Sequence, residues 1–251
     1  MTAASRARFA QVVRGEAVDT VLACLLLGCE SEPDLDLDAS VVVLDALAET
    51  ARPYVQRLGA AEGLRVALGE QAGFAGSAAD FEDLRSSLLH EVLRRGRGLP
   101  ILLSVVWCEV ASRLDVMAVP LGLPGQVLVL VGDVVVDPFH GGALVDAPHG
   151  PVLEPVGLLL RVLSNIRLLT TRQERSLETV RTRLWATELS LLLPRHPVSL
   201  RRERGELLVR LGDHVGGAQE LEDYASLVET VDEAEAETAR REARLARARL
   251  N

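Results

Sequence analysis

A chain of 251 residues is long enough for one large domain or two small ones, each with its own core. Hydrophobic residues make up 48% of it and aromatics only 3%, so Leu, Val and Ala must fill that core. A net charge of −9 excludes a general nucleic-acid binder, which needs a basic surface to release counterions.

All 27 basic residues are Arg, a pattern that points to codon bias in a GC-rich genome rather than to function. Cys24, Cys29 and Cys108 are an odd number of cysteines, each set in an apolar, helix-like run. That usage suits a reducing compartment, where Cys serves as a small hydrophobe. No C-x-x-C or Cys/His spacing points to zinc, and neither a metal nor another cofactor is expected. The N-terminus lacks the apolar core of a signal peptide, and no run approaches the ~18 residues of a membrane span. A cytoplasmic protein with no membrane partner is expected.

In chain order, residues 5 to 30 carry Phe9, Val12, Val13, Val18, Val21, Leu22 and Leu25 at helical spacing. The run ESEPDLDLDAS ends that pattern, and Asp38 or Ser40 is placed to cap a second helix over 40 to 57. Asp34, Asp36 and Asp38 resemble a calcium loop, but the sixth position is Ala39 rather than Gly and the twelfth is Asp45 rather than Glu. A structural acidic loop is the reading. A third apolar period covers 60 to 70, and GFAGSAADFED is a loop by composition.

Residues 84 to 93, LRSSLLHEVL, read as a short amphipathic helix that stops at RRGRGLP. PILLSVVWCEVASRL, 100 to 114, is almost wholly apolar and predicts a helix buried against a sheet, with Pro100 in its first turn. The sheet follows as VMAVPL, QVLVLV and DVVVDPF, with turns at Gly-Leu-Pro-Gly and Gly132-Asp133. Helices over 155–163, 173–193, 199–212, 216–229 and 232–250 complete the chain. Gly205 and Leu208 in one of these helices, with Ala218, Leu221 and Tyr224 in the next, match the small-large pairing of a tetratricopeptide-type hairpin. The last helix has acids at its start and Arg at its end, which complements the helix dipole and reads as a solvated face.

Chemistry-bearing residues concentrate around Asp137. Cys108 is a candidate nucleophile, but it lies two turns inside an apolar helix, where burial disfavours a thiolate. His140 and His149 share the Gly-rich corner with Asp137 and Asp146. The RRGRG cluster has the charge to hold a phosphate or carboxylate, yet lacks a P-loop pattern, so ion pairing within the chain or toward a partner is favoured.

Taken together, RRGRGLPILLSVVWCEVASRL, LGLPGQVLVL and VVDPFHGG resemble the bacterial transglutaminase-like/tetratricopeptide proteins called SirB-type invasion regulators. That family's pattern is similar to R-x-G-I-P-I-S-L-S with a long helix, then P-G-H-F-L, then D-P-F-x-G-G. RRERGELLVRLGDHVGGAQELEDY resembles the family's closing helices, and the likeness covers most of residues 5 to 230.

The resemblance implies an α+β fold: a helix-rich, cysteine-protease-like transglutaminase core with a small antiparallel sheet, then a tetratricopeptide-like helical module. It implies an N-terminal helical region over 1–72, the core over 73–154 and the C-terminal helices over 155–251. In active relatives a helix Cys, a strand His and an Asp on the next strand form a triad. The matching positions here are Pro100, Gln126 and Asp137. Pro100 cannot form an acyl-enzyme and Gln126 has no titratable nitrogen.

The expectation is therefore a non-catalytic factor that binds a protein or peptide partner. Its candidate cleft comprises Arg95, Arg97, Gly98, Ser104, Pro124, Gly125, Asp137, Phe139, His140, Gly141 and Gly142. Two rivals stay open. One is an amidase, protease or acyltransferase using Cys108 with His140 or His90. The other is a metabolite-binding module built on Arg95, Arg97 and the Asp137 corner.

Overall fold

A computed structural model describes residues 3–146, 150–173 and 176–249. Its contacts divide the chain into two compact units, Met1–Val162 and Leu163–Asn251. Among the described residues no helix is long and apolar enough to cross a membrane.

The first unit opens with α1 (Ala3–Arg14), which buries Phe9 and Val13, and α2 (Thr20–Gly28), which is almost wholly buried. The single helix expected over 5 to 30 is thus two. Gly15 weakens the helix, and the Asp19 carboxylate accepts from the Leu22 N–H, a bond that starts a new helix rather than continuing the old one. Helix α3 (Leu37–Leu58) starts earlier than expected because Asp36, not Asp38 or Ser40, is its cap, accepting from the Ala39 N–H. The acidic run therefore has a structural task at the helix entrance.

After Gly59, with φ +85°, α4 (Ala60–Leu64) leads into a π-helical turn over Arg65–Gln71. The segment expected as a loop holds a 3₁₀ turn, Ala78–Glu82, with a reciprocal Ser77–Asp80 capping box. The helix expected over 84–93 is a 3₁₀ turn, Leu84–Ser87, followed by α5 (Leu89–Arg95). Gly96 adopts the left-handed conformation that closes α5, with its N–H on the Val92 carbonyl.

Helix α6 (Pro100–Ser112) matches its expectation, with Pro100 in the first turn and both Ile101–Trp107 and Val110–Ala111 buried. It packs against β1 (Ala118–Leu123), β2 (Gln126–Val131) and the 3₁₀ turn Pro138–His140 that follows β3 (Val134–Asp137). These strands and β4 (Ala143–Leu144) form one antiparallel sheet in chain order. Only β4 was not foreseen, since two residues carry no alternation to read. Leu121, Leu128 and Val135 form a small core on one sheet face.

Helix α7 (Pro155–Arg172) contains the division between the units. It does not stop at 163 as expected. The polar pair Ser164-Asn165 looks like a break, but Ile166 and Leu169 beyond it are buried, and burial outweighs weak propensity.

The second unit continues with α8 (Leu177–Leu192), α9 (Ser199–Arg210), α10 (His214–Val228) and α11 (Glu233–Ala248). Gly205 and Gly217 bring α9 and α10 backbone to backbone: a Cβ on Gly217 would lie 2.7 Å from the Gly205 carbonyl oxygen. On α11, Ala236, Ala239, Ala243 and Ala246 form a small-residue face packed on Ala218, Leu221, Tyr224 and Ala225 of α10. The charges of α11 are less free than a solvated face implies. Glu235 and Glu242 pair with Arg202, and Arg247 pairs with Glu222.

Candidate functional site

Asp137 ends β3, and its side chain organises the corner that follows. Its Oδ1 accepts from the Phe139 N–H at 2.9 Å, and its Oδ2 lies 2.7 Å from His140 Nδ1. Gln126 Nε2 donates to the same Oδ2 at 3.4 Å. The register pairs Leu130 with Val135, so strand alternation puts Gln126 and Asp137 on one face of the sheet. Asp137 is buried, Gln126 is half-buried and His140 is exposed.

The β1–β2 turn is fixed from behind. Arg161 of α7 donates to the Leu123 carbonyl at 2.8 Å and to the Gln126 carbonyl at 3.2 Å, on either side of the exposed Pro124-Gly125 tip. Gly125, with φ +71°, suits that tight turn. Sequence reading missed Arg161, because one Arg in a long helix carries no signal of which backbone it will reach.

The corner is closed against the preceding segment at distances only glycine allows. The Gly76 N–H donates to the Phe139 carbonyl at 2.8 Å. A Cβ on Gly76 would lie 2.0 Å from the Phe139 ring and 2.8 Å from the Gly98 carbonyl oxygen. A Cβ on Gly69 would fall 1.9 Å from the Gly141 carbonyl oxygen. Phe139 also packs against Phe81, with ring centroids 5.6 Å apart. Gly98, Phe139, Gly141 and Gly142 thus belong to one packed corner, and Gly141 and Gly142 both take positive φ.

Other candidate residues are committed elsewhere. Arg95 pairs with Asp83 at 2.8 Å and donates to Ser86 Oγ at 2.9 Å. Arg97 pairs with Asp80 at 3.0 Å. Asp80 is 1% exposed, and it also accepts from Ser77 and Ser86. Burial alone would raise its carboxyl, but the Arg97, Ser86 and Ser77 hydrogen bonds prevail and hold it at about 2. The RRGRG cluster therefore makes ion pairs within the chain. Ser104 is buried and donates to its own helix at the Ile101 carbonyl. Pro100 is buried at the start of α6.

Cys108 is not part of this corner. Its thiol borders a cavity of about 490 Å³ lined by Val21, Val105, Pro120, Leu153 and Leu158, with Asp19, Glu109 and Glu154 also at its wall. Burial first, and Glu109 second, push the thiol up to about 12. Burial and Asp19 push the Glu109 carboxyl up as well. His90 is buried in α5, and burial holds its imidazole below the usual histidine range. Among the described residues no hydrogen bond joins Cys108 to His90 or His140. His149 lies outside the described residues.

The arrangement can anchor a hairpin and hold a carboxylate against an amide and an imidazole. It presents no side-chain nucleophile at Pro100, the first residue of α6.

Residues 39–151 match the transglutaminase-like superfamily. The chain is 28% identical over 246 residues to a UPF0162 protein of Xylella fastidiosa strain Temecula1, with 86% of each chain covered. The counterpart from strain 9a5c is likewise 28% identical over 246 residues, with 86% of each covered. No solved structure matches the chain. Helix α6, the hairpin and the Asp137 corner all lie within residues 39–151, the segment that is similar to the transglutaminase-like superfamily.

Proposed function

We propose that this chain is a non-catalytic transglutaminase-like protein acting as a cytoplasmic protein-interaction or regulatory factor. The observation that carries the reading is the Gln126 amide, which faces Asp137 from the neighbouring strand at 3.4 Å. A general base on that strand must take up a proton, and an amide does not. With Pro at position 100, the corner keeps an acid and lacks the group that would attack an acyl carbon.

A tetratricopeptide-like module over α9–α11 belongs to the same proposal. Its support is the glycine-mediated contact of α9 with α10 and the alanine face of α11. Helical pairs of this kind bind peptides or helices along an exposed face. Val215 and Leu227 stand 62% and 55% exposed on α10 as apolar anchors near its two ends, about 120° apart around the helix.

The test is affinity capture from the source organism with wild type and a Val215→Glu/Leu227→Glu variant. The reading expects a defined protein partner that wild type enriches and the variant loses. Equal capture by both, or no enriched partner, removes the interaction claim.

One observation favours a second reading. His140 Nδ1 sits 2.7 Å from Asp137, as an oriented general base would. In that reading Cys108 is the nucleophile, but it lies about 12 Å along the α6 axis from Pro100. Rapid alkylation of Cys108 by iodoacetamide in the folded protein would favour it.

A further inference from the structure

Outside the Asp137 corner, one cluster among the described residues gathers donor atoms at metal-ligand spacing. Glu32 lies just beyond α2, while His90 and Glu91 are adjacent on α5. His90 Nε2 is 3.7 Å from Glu32 Oε2 and 4.0 Å from Glu91 Oε1. One donor atom from each of the three residues lies within 4.8 Å of the other two. We propose that Glu32, His90 and Glu91 form a binding site for a divalent transition-metal ion, with Zn²⁺ the preferred occupant.

The first argument is the state of His90. Its side chain is 2% exposed, so its nitrogens need partners within the protein. Nδ1 is buried and makes no hydrogen bond. Nε2 points at the two carboxylates, yet both stand beyond hydrogen-bond reach. A buried imidazole left unpaired is costly unless something else binds it. An ion between Nε2 and the two oxygens would give Nε2 the partner it lacks, taking over oxygens that now accept from Arg94; Nδ1, on the opposite ring edge against Gly28, is not part of the site.

Packing fixes the ring in that direction. A Cβ on Gly28 would lie 2.3 Å from His90 Nδ1, so only glycine lets the imidazole seat here. The seated ring has one edge against the α2 backbone and the other toward the carboxylates.

Arg94 supplies the second argument. Its NH1 is 2.9 Å from Glu32 Oε2 and 3.2 Å from Glu91 Oε1, the same oxygens that face His90. A positive charge is therefore already drawn to the proposed position. The Arg94 side chain is 52% exposed and can move into solvent, or retain Glu32 Oε1, when an ion arrives.

The donor set selects the ion class. One imidazole nitrogen and two carboxylate oxygens, with further positions open to water, suit zinc. Magnesium and calcium favour all-oxygen sets. The separations of 3.7 and 4.0 Å are close to those of donors sharing one ion at roughly 2.0–2.3 Å, so small side-chain rotations complete the site.

The test is Zn²⁺ titration of the full chain, stripped with chelator, by calorimetry and by competition with a chromophoric chelator. Wild type should bind one ion. Glu32→Gln, at a half-exposed position, should weaken binding at least tenfold while leaving the unfolding midpoint of the metal-free protein unchanged. Arg94→Gln should tighten binding by removing the competing cation. His140→Ala should bind as wild type does, which separates this site from the Asp137 corner. The proposal is overturned if neither wild type nor Arg94→Gln binds stoichiometrically. It is equally overturned if Glu32→Gln binds as tightly as wild type.

Discussion

Gln126 Nε2 and Asp137 Oδ2 meet at 3.4 Å on one face of the sheet, and the same carboxylate receives the Phe139 N–H and holds His140. The acid that would orient a catalytic base thus anchors a corner. Asp137→Ala removes all of these bonds from a buried position. It should cost about 2–3 kcal/mol of unfolding free energy. Urea denaturation checks this, and a change below about 0.5 kcal/mol would make the anchoring role incidental.

Cys108 should be nearly inert in the folded protein. Its thiol is displaced from an ordinary 9.0 to about 12, so the thiolate fraction near neutral pH falls by roughly a thousandfold. Alkylation followed by intact mass should be slow in buffer and fast in denaturant. Comparable rates in both would contradict the burial described.

Asp80 should shape the acid limb of stability. Its folded carboxyl is held at about 2, against 3.8 for the free group. A depressed acid contributes stability fully above the unfolded value and loses it as pH falls toward the folded one. The contribution from the Asp80–Arg97 pair should therefore vanish between pH 4 and pH 2. Asp80→Asn should flatten the stability profile across that interval. A variant whose acid limb overlays wild type would show that the pair carries no such linkage.

Gly217→Ala tests the approach of α9 and α10. In an exposed helix this change gains up to about 1 kcal/mol of propensity. Here the new Cβ would sit 2.5 Å from Val209 Cγ2, 2.7 Å from the Gly205 carbonyl oxygen and 3.0 Å from the Val209 nitrogen. The expected result is a lower thermal midpoint. A higher one would mean that the helices separate at little cost.

Periodic burial made the core of this fold legible from sequence. Helix α6 and the valine-rich hairpin announce themselves because every turn or alternate residue is apolar. The breaks were harder. Gly15 and the Asp19 cap split one apolar period into two helices, while buried Ile166 and Leu169 carry α7 past the end expected at 163. Gln126 and Asp137 were legible through motif order. Their hydrogen bond, the Arg161 clamp and the Glu32–His90–Glu91 cluster were not, because each depends on which distant backbone or helix is brought alongside.

We propose that the corner around Asp137 performs no acyl chemistry. The most direct measurement is intact-mass analysis of the full chain incubated with a panel of activated acyl donors, with and without an amine acceptor. No protein adduct and no transfer to the amine above the uncatalysed rate are expected, for wild type and for Gln126→His alike. Acyl transfer by wild type that disappears in Asp137→Asn or His140→Ala would contradict it.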